Sequence, residues 1–184
     1  FIGTVPDDYD KTKNMLLKAT DNYDVVFTTG GVSIGERDYV ADIIYETGEI
    51  KFHRVAIRPG KPIAVGIING TPVFSLPGKP TGAFAALEMV VRSYFTKIPR
   101  ATCKLMINED ILLQEEGFSY ILFVKKAQDM ANTMGYKNSD MKLFEKGYET
   151  AIISASPRST IVDGYVITDR NLKKGEFVEV FLFS

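Results

Sequence analysis

The sequence is poor in the side chains that most often do chemistry. In 184 residues histidine occurs once, at His53, and cysteine once, at Cys103. A lone histidine excludes a histidine-rich metal centre and weighs against a Ser-His or Cys-His hydrolase; His53 reads as a strand side chain. A lone cysteine excludes a disulfide within the chain and fits a reducing compartment, the cytoplasm. Cys103 sits in an alternating run and reads as a small buried hydrophobe. No apolar run approaches the roughly 18–20 residues of a membrane span, and no secretory pattern opens the chain. Net charge is also lacking. Lys and Arg number 22 against 23 Asp and Glu, a formal charge of −1, so nothing global points to nucleic acid or to a membrane. The first residue is Phe1, not Met, which reads as a fragment of a longer polypeptide.

One absence is local and informative. From Ile50 to Leu87 there is no Asp or Glu, yet Lys51, Arg54, Arg58, Lys61 and Lys79 all fall there. The balancing acids lie chiefly in residues 7–49. Two glycine loops accompany this basic stretch, one before it and one within it. The first is Thr28-Thr29-Gly30-Gly31-Val32-Ser33-Ile34-Gly35-Glu36-Arg37-Asp38, and the second is Leu76-Pro77-Gly78-Lys79-Pro80. Glycines let backbone N–H groups approach an anion and cations hold it, so the pattern suits a phosphate-bearing ligand.

Residues 1–98 alternate between helix and strand signals. Helices are expected over 9–20, 38–46 and 80–96, the last with Ala83, Leu87, Val90, Val91 and Tyr94 inward. Strands are expected over 24–29, 51–57, 63–68 and 71–76, the last two joined by Asn69-Gly70 as a hairpin. The expected fold is α/β, with a layered, mostly parallel sheet and the ligand beyond the strands' carboxyl ends. From residue 101 the pattern changes to short strands at 101–110, 117–125, 150–156, 163–168 and 177–183, with 128–147 undecided. Residues 101–184 therefore read as a separate, small all-β domain.

At the motif level the chain resembles the molybdopterin molybdenumtransferases, the MoeA type whose eukaryotic counterpart lies in gephyrin. The resemblance rests on Thr-Thr-Gly-Gly-Val-Ser-Ile-Gly-x-x-Asp at 28–38, Arg-Pro-Gly-Lys-Pro at 58–62 and Leu-Pro-Gly-Lys-Pro at 76–80, and more weakly on 162–167 and 172–180. It implies a molybdopterin-binding domain over 1–98 and the family's β-domain over 101–184. It also implies a reaction: Mg²⁺-dependent removal of AMP from adenylylated molybdopterin, with transfer of molybdate to the pterin dithiolate. A homodimer is implied, with a molybdopterin adenylyltransferase as a candidate partner.

Through the resemblance, Asp7 and Asp38 correspond to active-site acids and Mg²⁺ ligands, and Lys61 to a catalytic cation. Arg54 and Arg58 join it as anion ligands, with Thr29, Gly30, Gly31, Ser33, Gly35, Gly60, Pro77, Gly78 and Lys79 lining the ligand. Lys79 stands where the family usually has Asn. The family's upstream Thr-Gly-Asp-Glu-Leu-type strand is not in this sequence.

Each assignment has a plainer reading. Asp38 and Asp7 can each cap a helix, although Asp8 could cap in place of Asp7. Arg54 and Arg58 alternate with Val55 and Ile57, so they should share one sheet face, bound to an anion or solvated. Ser33 can serve its own turn. Two other functions fit the motifs: a MogA-type molybdopterin adenylyltransferase, which the β-domain argues against, and a non-catalytic binding or scaffold module.

Overall fold

A computed structural model describes residues 1–30, 39–113, 115–134 and 162–183. The chain divides into two compact units. One comprises Phe1–Val55 with Gly60–Ser93, the other Ala56–Pro59 with Tyr94–Ser184.

The first unit begins with helix α1 (Tyr9–Asn22), where the Asp8 carboxylate accepts from the Lys11 N–H at 2.9 Å and caps the first turn. Strand β1 (Val26–Thr29) leads to Gly30, and helix α2 (Tyr39–Thr47) comes next. Gly48 closes α2 for a steric reason. A Cβ there would lie 2.1 Å from the Ile67 carbonyl oxygen, so no other residue lets the helix end so close to the sheet. Strand β2 (Glu49–His53) stops at Arg54, whose φ of +67° breaks the extended backbone. The short β3 (Ile57–Arg58) belongs to the second unit. Strands β4 (Ala64–Ile68) and β5 (Thr71–Leu76) form the expected hairpin. Its turn residues Asn69 and Gly70 have φ of +50° and +82°, the left-handed pair that a two-residue hairpin requires.

The sheet runs β1-β5-β4-β2. Only β1–β5 is parallel; β4–β5 and β2–β4 are antiparallel. The expectation of a mostly parallel sheet is therefore corrected. A parallel step needs a crossover, and β2, β4 and β5 succeed one another without a helix between them. Two cores flank the sheet. Leu16, Ala19, Val40, Ile43 and Ile44 of α1 and α2 pack with Val26, Ile68 and Val73. Ala86 and Val91 pack with Ile63, Val65, Phe74 and Leu76. Adjacent residues Val73 and Phe74 serve opposite cores, as strand alternation requires.

The helix after β5 is less regular than its sequence suggests. It runs as α3 (Pro80–Ala86), a five-residue π-turn at Leu87–Val91, and α4 (Arg92–Phe95). Leu87 and Tyr94, expected inside, are exposed. A π-turn adds a residue to the helical repeat, so positions on either side of it no longer share the face an α-periodicity assigns.

In the second unit, β6 (Thr102–Ile107), β7 (Ser119–Ala127), β8 (Met130–Thr133), β9 (Gly164–Thr168) and β10 (Phe177–Leu182) form a closed ring. The order is β7-β8-β6-β10-β9, and β9 pairs back onto β7. Strand β3 adds to β7 in parallel, Ile57 opposite Ser119. Tyr120, Ile121, Leu122, Phe123 and Val124 of β7 are all buried. Strand β8 lies in the stretch whose sequence pattern is undecided. Cys103, expected to be buried, is half-buried on β6. The strand expected at 150–156 lies outside the described residues.

Candidate functional site

Strands β1 and β5 run side by side in parallel and end together, Thr29 opposite Leu76. A glycine stands just past each end: Gly30 directly after β1, and Gly78 after Pro77 beyond β5. The Gly30 N–H donates to the Leu76 carbonyl at 3.3 Å, and Gly30 turns away with φ of +86°. A Cβ on Gly78 would lie 3.3 Å from the Gly30 Cα, tighter than most real contacts. Gly30 and Gly78 therefore meet backbone to backbone at the carboxyl rim of this strand pair. Beneath the rim, the Thr28 hydroxyl donates to the buried Ser75 hydroxyl at 3.1 Å.

A third glycine segment joins them. A Cβ on Gly82 of α3 would come within 3.1 Å of the Pro77 Cβ and 3.6 Å of the Gly60 nitrogen. Gly60 is buried and Lys61, next to it, is exposed. The segment is held by its own backbone: Arg54 N–H donates to Ile63 O at 2.7 Å and Val55 N–H to Lys61 O at 3.1 Å. Thr29, Gly30, Gly60, Lys61, Pro77, Gly78 and Lys79, scattered widely in the sequence, thus share one rim. Lys79 is exposed and sits at the N-cap of α3, where its side chain makes no capping hydrogen bond because an ammonium has no acceptor.

Asp7 is exposed. Asp8 takes the capping role, so that role does not account for Asp7. Gly31, Ser33, Gly35 and Asp38 lie outside the described residues. Among the described residues no group of three or more His, Cys, Asp or Glu could hold a metal ion. Arg54 is exposed after β2. Arg58 is on β3, where Nη2 donates to Glu115 Oε2 at 2.6 Å and the guanidinium lies 4.7 Å from the centre of the Phe118 ring. The two arginines do not share a sheet face, because the positive φ of Arg54 ends one strand before the other begins. Periodicity carries no signal for that break.

Sequence reasoning also missed a polar cluster joining α1 to α2. Glu46 accepts from the Tyr9 hydroxyl and from Lys13 Nζ, the latter at 2.5 Å. The Lys13 bond, then the Tyr9 bond, holds the Glu46 carboxyl below its ordinary range. The same Glu46 bond, with some desolvation, pushes the Tyr9 phenol up to about 12. Tyr9 meets Tyr39 edge to face at 5.7 Å. The residues concerned are 33 and 37 positions apart in sequence, beyond any local motif.

No helix among the described residues is long and apolar enough to cross a membrane. Comparison with known proteins points one way. A candidate molybdopterin biosynthesis protein of Methanocaldococcus jannaschii is 31% identical over 183 residues, 98% of this chain and 42% of that one. The molybdopterin molybdenumtransferase of Haemophilus influenzae is 32% identical over 97 residues, 53% of this chain and 24% of that one. A crystal structure of a MoeA molybdopterin biosynthesis protein from Pyrococcus horikoshii superposes with a TM-score of 0.74 at 32% identity. That match covers 100% of this chain and 43% of the other. The chain thus spans less than half the length of these relatives. Residues 1–97 match the family described as "Probable molybdopterin binding domain". With more than half of its length under that description and the glycine-lined rim inside it, the chain belongs to the molybdopterin-binding domain family of molybdenum cofactor biosynthesis.

Proposed function

We propose that this chain is the ligand-binding part of a molybdopterin molybdenumtransferase, acting on adenylylated molybdopterin and molybdate with release of AMP. The observation that carries the proposal is the meeting of Gly30 with Gly78, and of Gly60 with Gly82, at one strand rim beside Lys61. Glycines at Gly30 and Gly78 let the two backbones meet at the rim, the space where a Gly30 Cβ would stand is open to an anion, and Lys61 supplies charge. Gly31, Ser33 and Gly35 are ligand-binding residues in the same reading. Thr29, Pro77 and Lys79 border the rim, and Arg54 and Arg58 act as anion ligands.

Cleaving a pyrophosphate builds negative charge on the departing AMP. A cation already in place stabilises that charge without reorganising, and losing one such donor typically costs on the order of 10²–10³ in rate. Asp7 and Asp38 would hold Mg²⁺. The donor chemistry fits, since Mg²⁺ takes one or two carboxylates and completes its shell with phosphate oxygens and water. Bound there, the ion would neutralise phosphate charge. The same reading makes the protein a cytoplasmic homodimer that receives its substrate from a molybdopterin adenylyltransferase.

The test is AMP release from adenylylated molybdopterin, with Mg²⁺ and molybdate, by the intact polypeptide carrying this sequence. Asp38→Asn should leave ligand binding intact or tighter while turnover collapses. Turnover within about a factor of two of the parent, where loss of a stabilising group predicts on the order of 10²–10³, would reduce Asp38 to a helix cap. Binding by the parent without turnover would favour a non-catalytic module.

A further inference from the structure

The guanidinium of Arg58 is half used. Its Nη2 donates to Glu115 at 2.6 Å and its face covers the Phe118 ring, but its Nε is buried and has no hydrogen-bond partner among the described residues. Nε and Nη2 lie on the same edge of an arginine and form the fork that suits two oxygens of one anion. A single carboxylate oxygen fills half of that fork. The other half carries the cost of a buried, unpaired N–H.

The surroundings fix the arginine more firmly than the acid. Arg58 lies on β3, opposite Tyr120 of β7, and the Ser119 N–H donates to the Ala56 carbonyl at 2.9 Å. The Arg58 side chain is 31% exposed. Glu115 is on the turn leading into β7, and its side chain is 52% exposed. Its backbone N–H is tethered by the Tyr120 hydroxyl at 3.0 Å, which leaves the carboxylate free to swing about a fixed main chain.

We infer that Glu115 is a displaceable internal stand-in for the oxyanion that Arg58 binds, and that it sets the affinity of this arginine for molybdate. The inference rests on the reading of Arg58 as an anion ligand. A tetrahedral oxyanion offers two oxygens to Nε and Nη2 together, so it outcompetes the one-oxygen carboxylate by satisfying the orphaned donor. Each binding event must first displace Glu115 and overcome its negative charge. An anion that presents only one oxygen gains nothing over Glu115, so the pair also selects for anions able to fill the whole fork.

The experiment is calorimetric titration of molybdate into the intact polypeptide, as the parent, Glu115→Gln, Arg58→Lys and the double variant. Glu115→Gln should tighten molybdate by about two- to fivefold, the range set by a half-exposed ion pair. Arg58→Lys keeps the charge but loses the fork, so it should weaken binding and abolish the effect of Glu115→Gln in the double variant. If Glu115→Gln binds as the parent or more weakly while Arg58→Lys is weakened, Glu115 merely positions Arg58 and this inference is wrong. If Arg58→Lys binds as the parent does, or no variant binds, Arg58 is not an oxyanion ligand and the underlying reading falls with it.

Discussion

The Glu46 cluster shows how one acid can serve two elements. Its carboxylate gains from the Lys13 and Tyr9 hydrogen bonds only while ionised, so its folded pKa is depressed below the ordinary 4.5. A depressed carboxyl contributes stability that is present above its unfolded pKa and lost as pH falls through the folded value. Tyr9 works from the other end. Its raised pKa contributes stability present below the ordinary 10.0 and lost as pH rises through about 12. We therefore expect Glu46→Gln to unfold at lower urea than the parent at neutral pH, with the gap closing as pH falls below the ordinary carboxylate range. A gap that stays constant down to acid pH would show that the Glu46 charge is not what ties α1 to α2. The cluster is illegible in the sequence because it is made by packing. The rim glycines stand out in the sequence as motifs, and Gly30 and Gly78 come together backbone to backbone.

At the scale of elements, local chemistry predicts well where it acts alone. Asn69-Gly70 needs only its own backbone preferences to make a hairpin, and it makes one. The helix from Pro80 departs from its pattern, because the π-turn at Leu87–Val91 shifts the register midway. Strand direction escapes the sequence for a related reason. Periodicity marks which face of a strand is buried but says nothing of which neighbour it pairs with. Gly48 is legible as the stop of α2, since glycine commonly follows a helix, and the packed structure adds a second reason: the β4 backbone lies against it. Gly48→Ala places a methyl 2.1 Å from the Ile67 carbonyl oxygen. It should cost about 1–3 kcal/mol, the usual range for overpacking, read as a lowered urea midpoint. An unchanged midpoint would mean that α2 and β4 approach each other less tightly than this contact requires.

For the whole molecule, the chain does not divide at one point. Ala56–Pro59 leaves the first unit, adds β3 to the second unit's sheet, and returns. A single switch at Pro99 is the natural reading of composition, and no local signal at 56–59 announces a strand of a different sheet. Ile57 is 7% exposed there. Ile57→Ala should cost about 2–5 kcal/mol, as buried Ile-to-Ala changes do, and the loss should fall on one unit. Hydrogen exchange should accelerate at β7 and β9 amides and stay unchanged at β5. Equal acceleration in both units would show that they unfold as one.

The central claim is that the rim joining Gly30, Gly60, Lys61 and Gly78 holds an anionic pterin ligand. Calorimetric titration of adenylylated molybdopterin into the intact polypeptide, as the parent, Lys61→Ala and Gly78→Ala, tests it most directly. The parent should bind saturably. Lys61→Ala should weaken binding about tenfold or more, the loss of one charge-assisted hydrogen bond to a ligand. Gly78→Ala should weaken it as well, because its methyl presses on the Gly30 backbone. Parent binding that neither substitution changes would place the ligand elsewhere on the protein and contradict the claim.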